Sequence, residues 1–191
     1  MQIIEHLRWI YFRALVFIFN LFGLQQYSVQ CLRQMQAERP DDFFVLTTLA
    51  HFLGQVPRSR LEAIGLLRKA IDQDANMPVI HYNLAYLLEQ QGLLGEAEVS
   101  FRNALALNEK LDPAWYGLGL VLIQLRRPDE AIQALKRNTE LQPMSPFAWY
   151  QLARLHVDQH EQDKAIEIIR HLRGFEPKVA EQLQRETGLK L

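Results

Sequence analysis

The chain has 191 residues, of which 49% are hydrophobic, and a formal net charge of −1. This hydrophobic content excludes a wholly disordered chain, and the balanced charge argues against a nucleic-acid binder, which usually carries a basic bias. The single cysteine, Cys31, excludes an intramolecular disulfide and fits a reducing compartment.

The first predicted element is an apolar helix in residues 1–24, a stretch without proline. Residues 14–19 are apolar on every side of such a helix, which is not typical of a surface helix. A membrane span needs about 20 apolar residues, and here Arg13 and Asn20 interrupt the run. Three interpretations stay open. The helix anchors or spans a membrane, it is the first helix of the following array, or it docks into a partner or a second copy.

Two imperfect repeats are predicted next. Residues 25–43 read as a degenerate half repeat, because a helical stripe stops before Pro40. Residues 44–77 read as a first repeat, whose second helix would start with a capping box from Ser59 to Glu62. The stripe of the half repeat consists of Cys31, Leu32 and Met35.

From residue 78 onward, the same residue types return every 34 residues. The series are Ala97, Ala131 and Ala165; Tyr82, Tyr116 and Tyr150; Leu84, Leu118 and Leu152; Phe101, Leu135 and Ile169; and Leu107, Leu141 and Phe175. Within one period, two helical stripes are separated by short breaks that contain glycine or proline. A fixed period of this kind indicates stacked helix–turn–helix units. We expect three full repeats at residues 78–111, 112–145 and 146–179, and a C-terminal capping helix at residues 180–191.

This pattern resembles the tetratricopeptide repeat family. One repeat matches the family through Trp115, Leu118, Gly119, Ala131, Leu135 and Pro143. The next repeat matches through Trp149, Leu152, Ala153, Ala165, Ile169 and Pro177. The repeat before them matches through Leu84, Ala85, Gly92, Ala97, Phe101 and Ala104, with Glu109 where the family has proline. Asn138 and Leu172 depart from the pattern, since they replace the third small residue of the second helix. The resemblance implies an all-α fold, a right-handed α-solenoid of helix–turn–helix repeats.

The resemblance also implies a concave groove lined by the first helix of each repeat. Tyrosine and apolar side chains dominate its expected lining, and such side chains are enriched in binding hot spots. The groove residues predicted here are Val79, Tyr82, Asn83, Tyr86, Tyr116, Leu120, Ile123, Phe147, Tyr150 and Arg154. Some members of the family clamp the acidic C-terminus of chaperones with Lys, Asn and Arg. Only Asn83 corresponds to that clamp, so an apolar peptide or an amphipathic helix is the expected ligand.

His156 and His160 lie four residues apart, a spacing at which two histidines on one helix can bind a zinc ion. The metalloprotease pattern His-Glu-x-x-His is absent, because Glu161 follows the pair. We interpret His156 as a packed imidazole late in a first helix and His160 as a turn residue. No catalytic residue, metal ligand or cofactor is therefore predicted.

Taken together, these patterns predict a non-enzymatic scaffold or adaptor that binds a protein partner in its groove. The alternative is a membrane-tethered assembly factor or accessory subunit of a membrane complex, with residues 1–24 as the tether. We expect a cytoplasmic protein that contacts a membrane, if at all, through this N-terminal helix, and no nucleic-acid partner.

Overall fold

The computed structural model describes residues 2–189 of the chain, with side chains from residue 7 onward. The described residues contain eleven α-helices. They are α1 (Gln2–Leu21), α2 (Gln25–Glu38), α3 (Phe43–Gly54), α4 (Arg60–Gln73), α5 (Pro78–Gln90), α6 (Leu94–Leu107), α7 (Asp112–Gln124), α8 (Pro128–Leu141), α9 (Pro146–Asp158), α10 (Gln162–Arg173) and α11 (Pro177–Thr187). A short 3-10 helix, Pro57–Ser59, precedes α4. The chain divides into two compact units, Met1–Leu93 and Leu94–Leu191.

Proline and left-handed residues set the helix boundaries. Pro78, Pro128 and Pro146 each begin a helix, where the missing N–H of proline is not needed and its fixed φ is already helical. The turn inside three successive helix pairs has one residue with positive φ. These residues are Gly92 (φ 74°), Arg126 (φ 58°) and His160 (φ 61°), again 34 residues apart. The turn therefore keeps one backbone shape while its side chain varies.

The first unit contains α1 to α5, and its core lies between consecutive helices. Leu32 and Met35 of α2 are fully buried, as are Leu46 and Leu49 of α3. The helix α1 packs on α2 through Trp9 and Val16, which are 8% and 4% exposed. The buried Ser28 hydroxyl also donates a hydrogen bond to the Val16 carbonyl at 3.3 Å.

The second unit contains α6 to α11, and α11 closes its apolar core. Ala180 and Leu183 of α11 are fully buried against Ala153, Ile169 and Leu172. The helix α11 therefore covers the apolar face that α9 and α10 would otherwise expose. A terminal repeat in a repeat protein needs such a cover.

A side-chain hydrogen bond recurs at the start of three first helices. The indole Nε1 of Trp115 donates to the Glu109 carbonyl at 2.8 Å, and that of Trp149 donates to the Pro143 carbonyl at 2.9 Å. His81 occupies the same register in α5, and its Nε2 bonds the Ala75 carbonyl at 2.8 Å. Each bond ties the turn that ends one repeat to the first helix of the next.

One predicted helix start differs from the structure. The capping box at Ser59 does not form, because the Ser59 side chain makes no cap hydrogen bond and Glu62 instead pairs with Arg33 at 2.7 Å. The side-chain cap in this region is Asp42, whose Oδ1 accepts from the Val45 N–H at 3.1 Å. The 3-10 turn at residues 57–59 places Ser59 in a right-handed conformation (ψ 0°), whereas a capping residue is usually extended.

The sequence left open whether the N-terminal helix α1 crosses a membrane. Among the described residues, none of the helices combines the length and apolar character that crossing a bilayer requires.

Candidate protein-binding surface

The first unit has a cleft beside the first helices α3 and α5. Its volume is about 320 Å³, and α5 contributes Tyr82, Asn83 and Tyr86 to its wall. The remaining lining residues are Ala50, His51, Gly54, Gln55, Arg60, Leu67 and Leu87. A methyl group at Gly54 would lie 2.9 Å from Cδ2 of Leu87, so an alanine there would require the Leu87 side chain to shift.

The polar groups of this cleft are donors or neutral amides. The Arg60 Nε donates a long hydrogen bond to the Gly54 carbonyl at 3.4 Å. Gln55 bonds the His51 ring at 3.2 Å. Asn83 also lines a second cleft of about 420 Å³ between α1 and α3, beside Arg13 and Phe44. Among the described residues, no Asp or Glu lines either cleft, so both suit apolar groups that bring hydrogen-bond acceptors.

The second unit has a cleft of about 300 Å³ beside α7 and α9. Its lining residues are Tyr116, Pro146, Phe147, Tyr150, Gln151, Val179 and Gln182. Tyr116 and Phe147 meet edge to face, with ring centroids 6.4 Å apart. The Arg154 guanidinium lies over the Tyr150 ring, 5.9 Å from its centroid. Phe147 is 65% exposed, which makes it the most accessible aromatic side chain of this cleft.

The two tyrosines of this cleft are held by hydrogen bonds. The Tyr150 hydroxyl donates to Glu186 of α11 at 2.5 Å. This hydrogen bond, with burial as a second cause, raises the pKa of Tyr150, and it lowers the pKa of Glu186. Burial raises the pKa of Tyr116, partly opposed by its hydrogen bond with Gln151. Both phenols therefore stay protonated at neutral pH and present a rigid, neutral rim.

Six of the ten predicted groove residues line one of the two clefts, and four do not. Tyr82, Asn83 and Tyr86 meet in the cleft of the first unit, whereas Tyr116, Phe147 and Tyr150 meet in the cleft of the second unit. The other four lie on first helices outside these linings: Val79 is 52% exposed, Arg154 is exposed, and Leu120 and Ile123 are half-buried. Whether these ten residues bind a partner stays a prediction.

Several lining residues were missed by the sequence reasoning. His51, Gln55 and Arg60 belong to the imperfect repeat, where the 34-residue register does not assign positions reliably. Val179 and Gln182 come from α11, which we expected to act only as a cap. The half-polar pattern of α11 gave no signal of this contribution, because a capping helix also carries a polar outer face.

His156 and His160 occupy the positions that the sequence analysis gave them, a packed side chain and a turn residue. His156 is 3% exposed in α9, and its Nδ1 lies 2.6 Å from Oε2 of Glu161. His160 occupies the left-handed turn. In the part of the chain that the structure describes, no group of three or more His, Cys, Asp and Glu side chains could hold a metal ion.

Comparison with known sequences identifies the repeat. Two models of the tetratricopeptide repeat match the chain, one at residues 59–110 and one at residues 88–147. The tetratricopeptide repeat is thus identified over residues 59–147. No curated protein matches the sequence.

Solved tetratricopeptide repeat structures share this fold. MamA from Desulfovibrio magneticus, at 16% identity, superposes with a TM-score of 0.81 over 87% of this chain and 94% of that one. YrrB, whose structure is described as a tetratricopeptide repeat protein with an unusual peptide-binding site, has 20% identity, a TM-score of 0.68, and coverage of 82% and 84%. PilF of Pseudomonas aeruginosa has 19% identity, a TM-score of 0.72, and coverage of 92% and 88%. The predicted fold class, an all-α solenoid of helix–turn–helix repeats, is confirmed.

Proposed function

We propose that this tetratricopeptide repeat protein is a non-enzymatic scaffold that binds a protein partner along its first helices. The observation that carries the proposal is the exposed ring of Phe147, which stands beside Tyr116 and Tyr150 at the cleft of the second unit. A large aromatic side chain next to an open apolar cleft loses little entropy on binding and can bury much area.

The chemistry of both clefts favours an apolar peptide or an amphipathic helix as the ligand. Each cleft has aromatic and aliphatic walls, and its polar groups are mainly amides, phenols and an imidazole. Such walls accept side chains, while the amides and phenols can bond the ligand backbone. The peptide-binding site named for YrrB supports a ligand of this kind for a related fold.

A binding role is also the better inference than catalysis. The Tyr150 hydroxyl, which lines the second cleft, donates its hydrogen bond to Glu186 at 2.5 Å. A catalytic acid or base must instead reach a substrate proton.

The test compares two equally exposed side chains that lie three residues apart. Phe147 is 65% exposed and lines the cleft, whereas Met144 is 66% exposed and lies in the turn before α9. Partners are captured from cytosol and membrane extracts with wild type, Phe147→Glu and Met144→Glu, and binding of the segment identified is then measured by fluorescence anisotropy. We expect Phe147→Glu to weaken binding by about tenfold or more, and Met144→Glu to leave it unchanged.

Two results would contradict the proposal. Equal binding by wild type and Phe147→Glu would remove the cleft from the interface. Equal loss in both variants would show that the added charge, and not the position, is responsible.

A further inference from the structure

The helix α1 carries a stripe of uncovered apolar side chains. Its members are Leu7, Ile10, Ala14, Phe17 and Leu21, which we call the α1 seam. Their spacing of three and four residues in turn places them on one side of the helix, as at the a and d positions of a coiled coil. Leu7 is 60% exposed, Ile10 51%, and both Phe17 and Leu21 69%.

The opposite side of α1 is already engaged within the first unit. Trp9 and Val16 are buried there. The Arg8 guanidinium pairs with Glu38, and that of Arg13 lies over the Phe44 ring, 4.1 Å from its centroid. Both cations of the described part of α1 thus have partners within the first unit, and none of the five seam residues is itself charged.

The apolar area that α1 exposes approaches the area that one partner buries in a protein–protein interface. With Ile18, which flanks the seam at 43% exposure, the exposed residues amount to roughly 600 Å². Monomeric proteins rarely expose an apolar patch larger than about 300–600 Å². A stable interface of standard size buries about 800 Å² on each partner.

We propose that the α1 seam pairs with the same seam of a second copy of this chain. In a two-fold pair the seam is its own complement, and Ala14, at its midpoint, lies beside the axis and lets the two helices approach. Such a pair would bury the α1 seam without any other partner.

A lipid surface fits the seam less well than a second copy. Helices that lie on membranes carry Lys and Arg next to the apolar face, where they meet the headgroups. Arg8 and Arg13 are bound to Glu38 and Phe44. Membrane binding by the monomer is thus the competing outcome of the test.

The first experiment measures mass by sedimentation equilibrium for the wild type, Leu21→Glu and Leu61→Glu. Leu61 of α4 is 67% exposed, against 69% for Leu21, so it is a matched control outside the seam. We expect a wild-type dimer, a dissociation constant raised by about tenfold or more in Leu21→Glu, and no change in Leu61→Glu. Circular dichroism checks that both variants keep their helices. A wild-type monomer at about 0.1 mM, or equal weakening in both variants, would overturn the proposal.

The second experiment locates the contact by cross-linking and does not depend on a destabilising charge. In a Cys31→Ser background, Ala14→Cys should form an intermolecular disulfide on mild oxidation, because it lies at the two-fold axis. Ala37→Cys, an exposed position on α2, should not. Equal cross-linking at both positions would show random collision. If the wild type is instead a monomer that floats with vesicles of phosphatidylcholine and phosphatidylglycerol, the seam is a membrane surface.

Discussion

At the residue scale, the backbone geometry at two positions of the second unit, Gly117 and His160, bears on stability. A methyl group at Gly117 would lie 2.6 Å from Cε1 of Phe101. Phe101 is 2% exposed and fills the core of the second unit, so its ring cannot swing away. The absence of a side chain at Gly117 is therefore what admits this large ring between α6 and α7.

We predict that Gly117→Ala destabilises the protein by about 1–3 kcal/mol, because the added methyl overpacks the Phe101 contact. Chemical denaturation of the wild type and variant measures this difference. Gly65→Ala is the control, since Gly65 lies inside α4 with open space around it. There the better helix propensity of alanine should stabilise the protein by up to about 1 kcal/mol. Effects of the same sign in both variants would contradict the packing argument.

The left-handed turn residue is the second such position. His160 has φ 61° where the equivalent residue of an earlier turn is Gly92, with φ 74°. A side chain in this conformation costs about 1–2 kcal/mol. Glycine would relieve this strain but would also gain freedom in the unfolded chain, which offsets part of the benefit.

We predict that His160→Gly raises the free energy of unfolding by up to about 1 kcal/mol. The preceding Gln159 has φ −86°, so Gln159→Gly gains nothing and should destabilise the protein. Thermal unfolding monitored by circular dichroism separates the two variants. A lower melting temperature for His160→Gly would mean that its side chain makes a contribution larger than the strain.

At the element scale, charged side chains join neighbouring helix pairs on the outer face. Arg127, at the α7–α8 turn, donates to Glu98 of α6 at 2.6 Å and to Glu130 of α8 at 2.7 Å. Arg102 of α6 bonds the same two carboxylates at 3.0 and 3.1 Å. Arg102 and Arg127 therefore belong to one network that spans two repeats.

The network predicts a pH dependence of stability. The hydrogen bond from Arg127 is the main cause that lowers the pKa of Glu130 below its ordinary value. Since the folded pKa is the lower one, the stabilisation is present above the unfolded pKa and is lost as the pH falls through the folded pKa. Glu130→Gln should therefore melt at a lower temperature than the wild type at pH 7, and the difference should shrink at acid pH. Because the pair is exposed, high salt should also reduce it.

The control for this prediction is Glu167→Gln in α10. Glu167 is exposed and makes no hydrogen bond or ion pair with the residues that the structure describes. Its substitution should leave the pH profile of melting unchanged. A Glu130→Gln profile parallel to that of the wild type at every pH would contradict the role of the network.

At the scale of the whole molecule, a repeat array has ends, and each end has an apolar face to cover. In the second unit, α11 covers α9 and α10 through Ala180 and Leu183. In the first unit, α1 covers α2 with one side but leaves its own seam open. The apolar face of α9 and α10 is thus covered within the chain, and we propose that a second copy covers the α1 seam.

We predict that Leu183→Ala costs about 2–4 kcal/mol, because Leu183 is fully buried and its removal leaves a cavity against Ile169 and Leu172. Leu189 is only half-buried beside the same core, so Leu189→Ala should cost less. Urea denaturation of both variants gives the comparison. A cost below about 1 kcal/mol for Leu183→Ala would mean that α11 is not a structural cap.

The sequence predicted the repeats well because their signals are periodic and local. Ala97, Ala131 and Ala165 are all fully buried, as small residues at a fixed helical position should be. The lining of the two clefts was predicted only in part. Three of the predicted groove residues line each of the two clefts, but His51 and Gln182 come from helices without a reliable register.

The sequence by itself determined the period of 34 residues and the all-α fold, because helix spacing and turn residues act over a few neighbouring positions. Only the tertiary structure decided which groups pair. It placed Arg8 and Arg13 on Glu38 and Phe44 and left the α1 seam exposed. The reason is physical: periodicity defines the faces of a helix, but the neighbours that pack against it determine which face is buried and which stays open.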